Sequence, residues 1–382
     1  MRHLFELCLF FILLMGLPDW YIYRQYIRQC KHPYFRWLYW VPSVLLLIGM
    51  LIIFGSFKPH SDSMKYLGIF LITFLCVNVP KVVFTLMAFL LKKVTRRIGF
   101  HIALATALTT MGYLLFGAIK GKSFFQVKEI SIESKDIPQA FDGYRIIQLS
   151  DIHIGSWGED TRAMQKAVKL ILEQNPDLIV FTGDLVNNLA SELDPFIPVF
   201  SQLKAKDGVY SVLGNHDYSN YIRWDTPEEQ AQELVRLKEK QAQMGWQLLN
   251  NRHVKLHRGN DSIALIGVEN SGSHPFPDHA QLDEAMAGTE GMFQILLSHD
   301  PSHWRREVLP KTDIHLMLSG HTHAMQTKIF GFTPSQFIYP ENDGLYQEGE
   351  QKLYVNVGLG FLLYPMRLGA WPEITLLTLK TK

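Results

Sequence analysis

The chain has 382 residues, room for two domains or one large one. Its net charge of +1 conceals a division: residues 1–125 carry 14 Lys and Arg against 3 Asp and Glu, and residues 126–382 carry 23 against 33. The acidic second part excludes a nucleic-acid phosphate groove and suits a site that concentrates cations. Because Cys8, Cys30 and Cys76 all lie in the first part, the second has neither disulfides nor thiolate metal ligands.

Four apolar segments come first, with candidate helices at 4–23, 38–57, 66–91 and 100–119. Leu4–Leu17 contains Glu6 and runs on through Pro18 and Asp19 to Tyr23. Leu38–Phe57 is a full-length span with Trp37, Tyr39 and Trp40 at one end, as at a headgroup interface. Tyr66–Leu91 is interrupted by Asn78, Pro80 and Lys81, and Phe100–Ile119 again approaches the ~20 residues a membrane helix needs. A signal peptide would account only for the first segment, and no small-residue cleavage site follows it. Residues 1–121 therefore read as embedded in the cytoplasmic membrane. Lys81 reads as a residue that faces a neighbouring helix or snorkels, with a functional role as the alternative. The first loop holds Arg24, Arg28, Lys31 and Arg36, and the third holds Lys92, Lys93, Arg96 and Arg97; the second offers only Lys58 and Lys65. Loops one and three are thus expected in the cytoplasm, which with four spans turns the C-terminal domain outward. Without the first span the domain would face the cytoplasm.

From Phe124 the texture changes to alternating strands and helices. Strands are predicted at Phe125–Ser131, Arg145–Leu149, Leu178–Thr182, Val209–Leu213, Gln294–Leu297 and Ile314–Leu318, with Leu248–Leu256 and Ser262–Val268 as a strand pair. Helices are predicted at Thr161–Gln174, Phe196–Lys204, Pro227–Met244 and near Leu282–Ala287, and the remainder is short strands and turns. The alternation predicts an α/β domain over 122–382, with two sheets.

Each apolar run ends in residues that can bind a metal: Asp151 and His153, Asp184, Asn215 and His216, His299, then His321 and His323. Strand ends of this kind gather at one edge of a sheet. Imidazoles, carboxylates and one amide, without thiolate, suit Mn, Fe, Zn or a similar divalent ion. Seven ligands are too many for one ion and suit two that share a carboxylate, a recurrent solution for phosphoester hydrolysis. Taken singly, Asp151 or Asp184 could be a helix cap, His299 before Asp300-Pro301 a turn residue, and His153 or His323 a buried, hydrogen-bonded histidine. Tyr218, Trp224 and Phe276 are candidates to line a substrate cleft. His253, His257, His274, His279, His303 and His315 lack the strand-end context and receive no role.

Asp151-Ile-His153, Gly183-Asp184, Gly214-Asn-His-Asp217, His299 and Gly320-His-Thr-His323, in that order, resemble the calcineurin-like metallophosphoesterases. The flanking words Gln148-Leu-Ser-Asp-Ile-His153 and Leu318-Ser-Gly-His-Thr-His323 look most like the bacterial membrane-associated branch. The resemblance covers about residues 125–380 and implies a four-layer α/β/β/α domain. It also implies one ion held by Asp151, His153, Asp184 and His323, and a second held by Asp184, Asn215, His299 and His321. His216 would act on the transition state or protonate the leaving oxygen, with Asp217 orienting it. Where the branch continues Gly-Gly-Gln after the last histidine, this chain has Ala324-Met325-Gln326, which bears on the substrate contacts. The expected substrate is a phosphodiester, phosphomonoester or pyrophosphate, of a lipid or of the cell envelope. Similar proteins act on phospholipid headgroups or on UDP-diacylglucosamine in lipid A synthesis, and the latter would need a cytoplasmic domain. Two further readings are a metal-binding scaffold without turnover, which an intact His216 argues against, and a transport-linked membrane protein.

Overall fold

The computed structural model describes residues 2–56, 61–93 and 95–382, so Phe57 and Lys58 lie outside the described residues. The chain divides into two units, Met1–Lys120 with Leu363–Met366, and Gly121–Leu362 with Arg367–Lys382.

The first unit is helical: α1 (Arg2–Gln25), α2 (Pro33–Leu38), α3 (Val41–Ser56), α4 (Ser61–Leu90) and α5 (Arg96–Ile119). Three stretches, Pro33–Ile53, Tyr66–Lys93 and Arg97–Ser123, are long and apolar enough to cross a membrane. Their leucines and isoleucines point outward as well as inward, as with Leu45, Leu51, Ile52, Leu86 and Leu90, which is how a helix surrounded by lipid is built. Helix α1 is equally long but carries Glu6, Asp19 and Arg24. Asp19 is fully buried. Lys81 of α4 places its ammonium 2.8 Å from Asp19 Oδ1. Ser43 Oγ donates to Asp19 Oδ2 at 2.5 Å, and Tyr39 Oη donates to Oδ1 at 2.9 Å. Lys81 also donates to Ser43 Oγ at 2.9 Å, so it faces a neighbour rather than snorkelling.

The second unit holds twelve strands in two mixed sheets, with short helices on their outer faces. The strands are β1 (Gln126–Ser134), β2 (Arg145–Leu149), β3 (Leu178–Phe181), β4 (Val209–Ser211), β5 (Gln247–Leu248), β6 (Arg252–Arg258), β7 (Asp261–Gly267), β8 (Phe293–Leu297), β9 (Leu316–Ser319), β10 (Gly344–Glu348), β11 (Gln351–Val355) and β12 (Glu373–Thr381). One sheet runs β1-β12-β2-β3-β4-β5 and the other β10-β11-β9-β8-β7-β6. Within them β2, β3, β4 and β5 are parallel neighbours, as are β7, β8, β9 and β11. Strands buried on both faces read as continuous apolar runs, as β3 (Leu-Ile-Val-Phe) and β8 do.

The runs alternate between two cores. Ile146, Leu178, Val180, Ile263, Leu265, Ile295 and Leu297 fill the space between the sheets. Ile147, Leu149, Ile179 and Phe181 point the other way, onto α6 (Arg162–Leu172) and α7 (Ile197–Phe200). On the far side Ala264, Ile266, Leu296 and Met317 receive Leu282 and Ala285 of the helix Leu282–Met286, and also Trp304 and Val308. The result is the four-layer α/β/β/α arrangement. The structure departs from the expected elements at two places. The run Leu248–Leu256 is two strands, because the chain turns at Asn251, which adopts a left-handed φ of 50°, and passes from one sheet to the other. The helical stretch Trp304–Lys311 had no predicted counterpart.

Candidate metal centre

The C-terminal ends of β2, β3, β4, β8 and β9 bring all seven candidate ligands together. Three groups have donor atoms close enough to share an ion: Asp151, His153 and His323; His153, Asp184 and His216; and Asp184, His299 and His321. Asp184 lies between the outer pair, its Oδ2 3.6 Å from His153 Nε2 and 3.2 Å from His299 Nε2. Asp151 Oδ1 lies 3.2 Å from His323 Nε2, and the His321 amide donates to Asp151 Oδ2 at 2.9 Å. Asp151, His153, Asp184, Asn215 and His299 are buried; His216 and His321 are half-buried.

Backbone strain is concentrated in this group. Asp151, His153, Asp184, His321 and His323 adopt φ of 51°, 45°, 61°, 73° and 50°, a left-handed region uncommon for residues other than glycine, though Asp and His enter it more readily than most. Close approach of the loops needs glycine at two points. A Cβ on Gly214 would fall against the Asp184 carboxylate, and one on Gly320 against Ser150 Oγ and Asp151 Oδ2.

Outer hydrogen bonds orient two of the histidine rings and the amide toward the centre. His299 Nδ1 lies 2.7 Å from the Thr182 carbonyl and must donate to it, leaving Nε2 as the atom that faces the centre. His321 Nε2 lies 2.8 Å from Tyr339 Oη, and with that nitrogen as the donor Nδ1 is left bare. Asn215 Nδ2 donates to Tyr221 Oη at 2.7 Å, which turns Oδ1 inward. These inward atoms converge: His321 Nδ1 is 3.2 Å from His299 Nε2 and 2.9 Å from Asn215 Oδ1. As the rings stand these contacts can be hydrogen bonds, and the same three atoms would be the donors to a cation placed among them; outer bonds of this kind are how ligating histidines are held. The donor set fits a divalent cation. His323 fits with one rearrangement. Its Nδ1 lies 3.1 Å from Arg367 Nη2, a group that only donates, so ligation through Nε2 would bring a proton to Nδ1 and break that bond.

The electrostatics point the same way. Burial alone would raise the Asp184 carboxyl, but the imidazoles of His299 and His216 outweigh it and hold it well below the usual range. Asp151 is likewise lowered, by His323 and His299 against burial. Burial would lower His299, yet Asp184 and Asp151 push it up to about 10. Burial lowers His153, His216 and His321.

His216 adjoins His153 and Asp184 but is held differently from the other histidines. Its amide donates to Asp184 Oδ1 at 2.8 Å, and its Nδ1 donates to the Asn187 carbonyl at 2.8 Å, which directs Nε2 away from that anchor. The expected pairing of Asp217 with this imidazole does not form. Asp217 accepts instead from the amides of Asp184, Leu185, Val186 and Gly214, so it clamps the loops that carry Asp184 and Asn215. Burial and the neighbouring Asp184 charge raise its carboxyl to about 7 against those donors.

Of the expected aromatic lining, Phe276 meets His321 edge-on at 4.9 Å. Tyr218 is core, its Oη accepting from the Asn270 amide, and Trp224 bonds the Ser219 carbonyl. Tyr221, its ring tilted 30° against that of His216 at 4.3 Å, takes the place expected of Tyr218. Tyr221, Tyr339, Arg367 and Glu192, whose carboxylate accepts from the amides of Asn187, Asn188 and Leu189, carried no local signal in the sequence.

Residues 144–325 match the family model for calcineurin-like phosphoesterases. The chain is 32% identical over 317 residues to the Bacillus subtilis metallophosphoesterase YkuE, a match covering 76% of this chain and 99% of that one. The chain belongs to the calcineurin-like metallophosphoesterases. Residues 1–122 match a second model, described as a probable calcineurin-like phosphoesterase transmembrane domain, so the protein is a membrane metallophosphoesterase with N-terminal transmembrane helices. Its Asp and His clusters are those of a dinuclear site of this family. A Campylobacter jejuni metallophosphoesterase, Cj0846, is 27% identical over 393 residues and matches 97% of both chains. A Danio rerio transmembrane protein with a metallophosphoesterase domain is 33% identical over 276 residues, 70% of this chain; the match spans 60% of the length of that relative.

Proposed function

We propose that this metallophosphoesterase hydrolyses a phosphodiester, phosphomonoester or pyrophosphate of a lipid or cell-envelope compound, with its catalytic unit on the outer side of the cytoplasmic membrane. The observation that carries the reading is the convergence of imidazole nitrogens, carboxylates and an amide oxygen on both sides of Asp184. Asp151, His153, Asp184 and His323 would hold one ion, and Asp184, Asn215, His299 and His321 the other, with Mn, Fe or Zn matching the donors. Two such ions supply Lewis acidity toward phosphoryl oxygens. The chain's own residues do the rest. Tyr221 and Tyr339 fix the Asn215 amide and the His321 ring, and Asp217 fixes the loops beneath them. His216, anchored through Nδ1, turns Nε2 away from that anchor; because burial lowers this imidazole, the ring would have to take up a proton at Nε2 before passing it to the leaving oxygen. The outward orientation rests on the basic loops one and three together with a fourth span through α1, whose Asp19 charge is matched by Lys81.

The test is hydrolysis by the purified full chain in detergent, with and without Mn, on bis-p-nitrophenyl phosphate and on the monoester. Metal-dependent turnover lost in Asp184→Asn and His216→Ala supports the reading, and the diester-to-monoester ratio sets the substrate class. A folded chain that binds two ions yet turns over neither compound would sink it.

A further inference from the structure

Within ten residues of the phosphoesterase unit, five large hydrophobic side chains stand in solvent: Ile329, Phe330, Phe332, Phe337 and Ile338. Single exposed apolar residues are ordinary; a contiguous group marks a contact with another phase or partner. The geometry makes this group costly. Ile329 and Phe332 exchange backbone hydrogen bonds of 2.8 and 3.0 Å across a two-residue turn. The central residues, Phe330 and Gly331, both have left-handed φ, 51° and 82°. Such turns take Asn, Asp or Gly at the first central position. Here a phenylalanine sits there with its ring fully exposed, at 105% of the reference area. It bears strain and apolar hydration together, and the fold repays neither.

The patch is firmly based. Lys328 donates its amide to the Leu368 carbonyl at 2.7 Å, Leu368 donates back to Gln326 at 2.9 Å, and Thr333 Oγ1 donates to the Ala324 carbonyl at 2.5 Å. Phe332 and Phe337 meet edge-on at 5.7 Å, which joins the turn to the second half of the patch. No residue from Ile329 to Ile338 is charged. The next residue, Tyr339, bonds His321, and the stretch begins six residues after His323, so both ends are tied to the metal centre.

We propose that the Ile329–Ile338 patch inserts into the interfacial layer of the lipid bilayer and sets the metal centre at headgroup level, so that its phosphoester comes from membrane lipid rather than from solution. Uncharged aromatic and aliphatic side chains are what interfacial anchors use. The chain carries its own membrane spans, so a bilayer is the apolar phase always at hand. The choice of lipid as substrate rests on the phosphoesterase reading above; insertion does not.

The experiment uses the full chain, with Cys8, Cys30 and Cys76 changed to alanine, in vesicles of equal parts phosphatidylethanolamine and phosphatidylglycerol. An environment-sensitive dye is attached at Phe330→Cys, at Phe337→Cys or, as a control on an exposed helix face, at Val235→Cys. Emission at 330 and 337 is expected at shorter wavelength than at 235, and quenched by lipids carrying a nitroxide on the acyl chain. Water-like emission at 330 and 337 overturns the proposal, and so does a shift without lipid quenching, which would mean a protein covers the patch. In a second arm, Phe330→Ser with Phe337→Ser is expected to slow hydrolysis of vesicle phospholipid at least about tenfold, the worth of burying a phenyl ring, while bis-p-nitrophenyl phosphate stays within about twofold. Equal losses on both substrates overturn the assignment to lipid. If the unsubstituted chain hydrolyses neither, the phosphoesterase reading fails, and the dye arm still decides insertion.

Discussion

Both units bury carboxylates, and they neutralise them by opposite means. In the membrane unit Asp19 meets an ammonium, a serine hydroxyl and a phenol, all from the chain itself. In the phosphoesterase unit Asp151 and Asp184 meet imidazoles and backbone amides, and the imidazoles turn ring nitrogens toward the same space. The first arrangement is complete and has no use for a cation. The second offers its carboxylates donors that are themselves able to bind a cation. A buried acid alone is therefore a poor sign of a metal site; what its partners offer is the better one.

The contrast can be broken most severely at Asp184. Asp184→Asn is expected to cut turnover by about 10⁴-fold or more and to lower bound metal below two equivalents, read by atomic emission. Full metal content in that variant would remove Asp184 from its shared position. His216→Ala should lower kcat by about 10²–10⁴-fold with both ions retained. The loss should be greater for an alkyl leaving group than for p-nitrophenolate, since only the former needs the proton. Equal losses on the two would reassign His216 to holding the ground state.

In the membrane unit Lys81→Met leaves Asp19 buried without its partner, and is expected to cost about 3–5 kcal/mol in detergent-denaturation experiments. Adding Asp19→Asn should recover most of this, with hydrolysis per folded molecule unchanged throughout. A loss of hydrolysis in the stable double variant would instead tie this pair to the reaction.

His303 offers a measure of burial without a metal in view. Burial lowers its pKa to about 4, and its Nδ1 bonds Ser298 Oγ. The unfolded chain binds the proton first, so stability should fall as pH drops below about 6.5 and level off near 4, a contribution of about 3 kcal/mol. His303→Gln should flatten that part of the stability–pH curve; an unchanged slope would contradict it. Smallest is Tyr339→Phe, expected to weaken binding of the second ion about tenfold by freeing the His321 ring, measured by metal titration.

Much of this was legible in the sequence for a physical reason. A parallel strand buried on both faces must be a short apolar run, and the residue after it stands at the sheet edge; Arg145–Leu149 followed by Asp151 reads directly. Contacts made across long separations leave no such trace. Nothing local pairs Asp19 with Lys81, nor Tyr339 with His321, nor Arg367 with His323. Asp217 shows a subtler limit. Its place beside His216 in the chain suggested a pair, but the tight turn points its carboxylate back at Asp184, Leu185 and Val186. The break between β5 and β6 was written in Asn250-Asn251, a turn signal masked by the apolar residues on either side.

Gly214 and Gly320 supply no donor atom, yet each occupies the space into which a neighbouring loop's carboxylate must fit. A single methyl group at either position would evict Asp184 or Asp151 while leaving every ligand in the sequence unchanged. Inventories of metal-binding side chains would still count such a variant as intact. Its inactivity would be steric, and neither added metal nor a restored donor would rescue it.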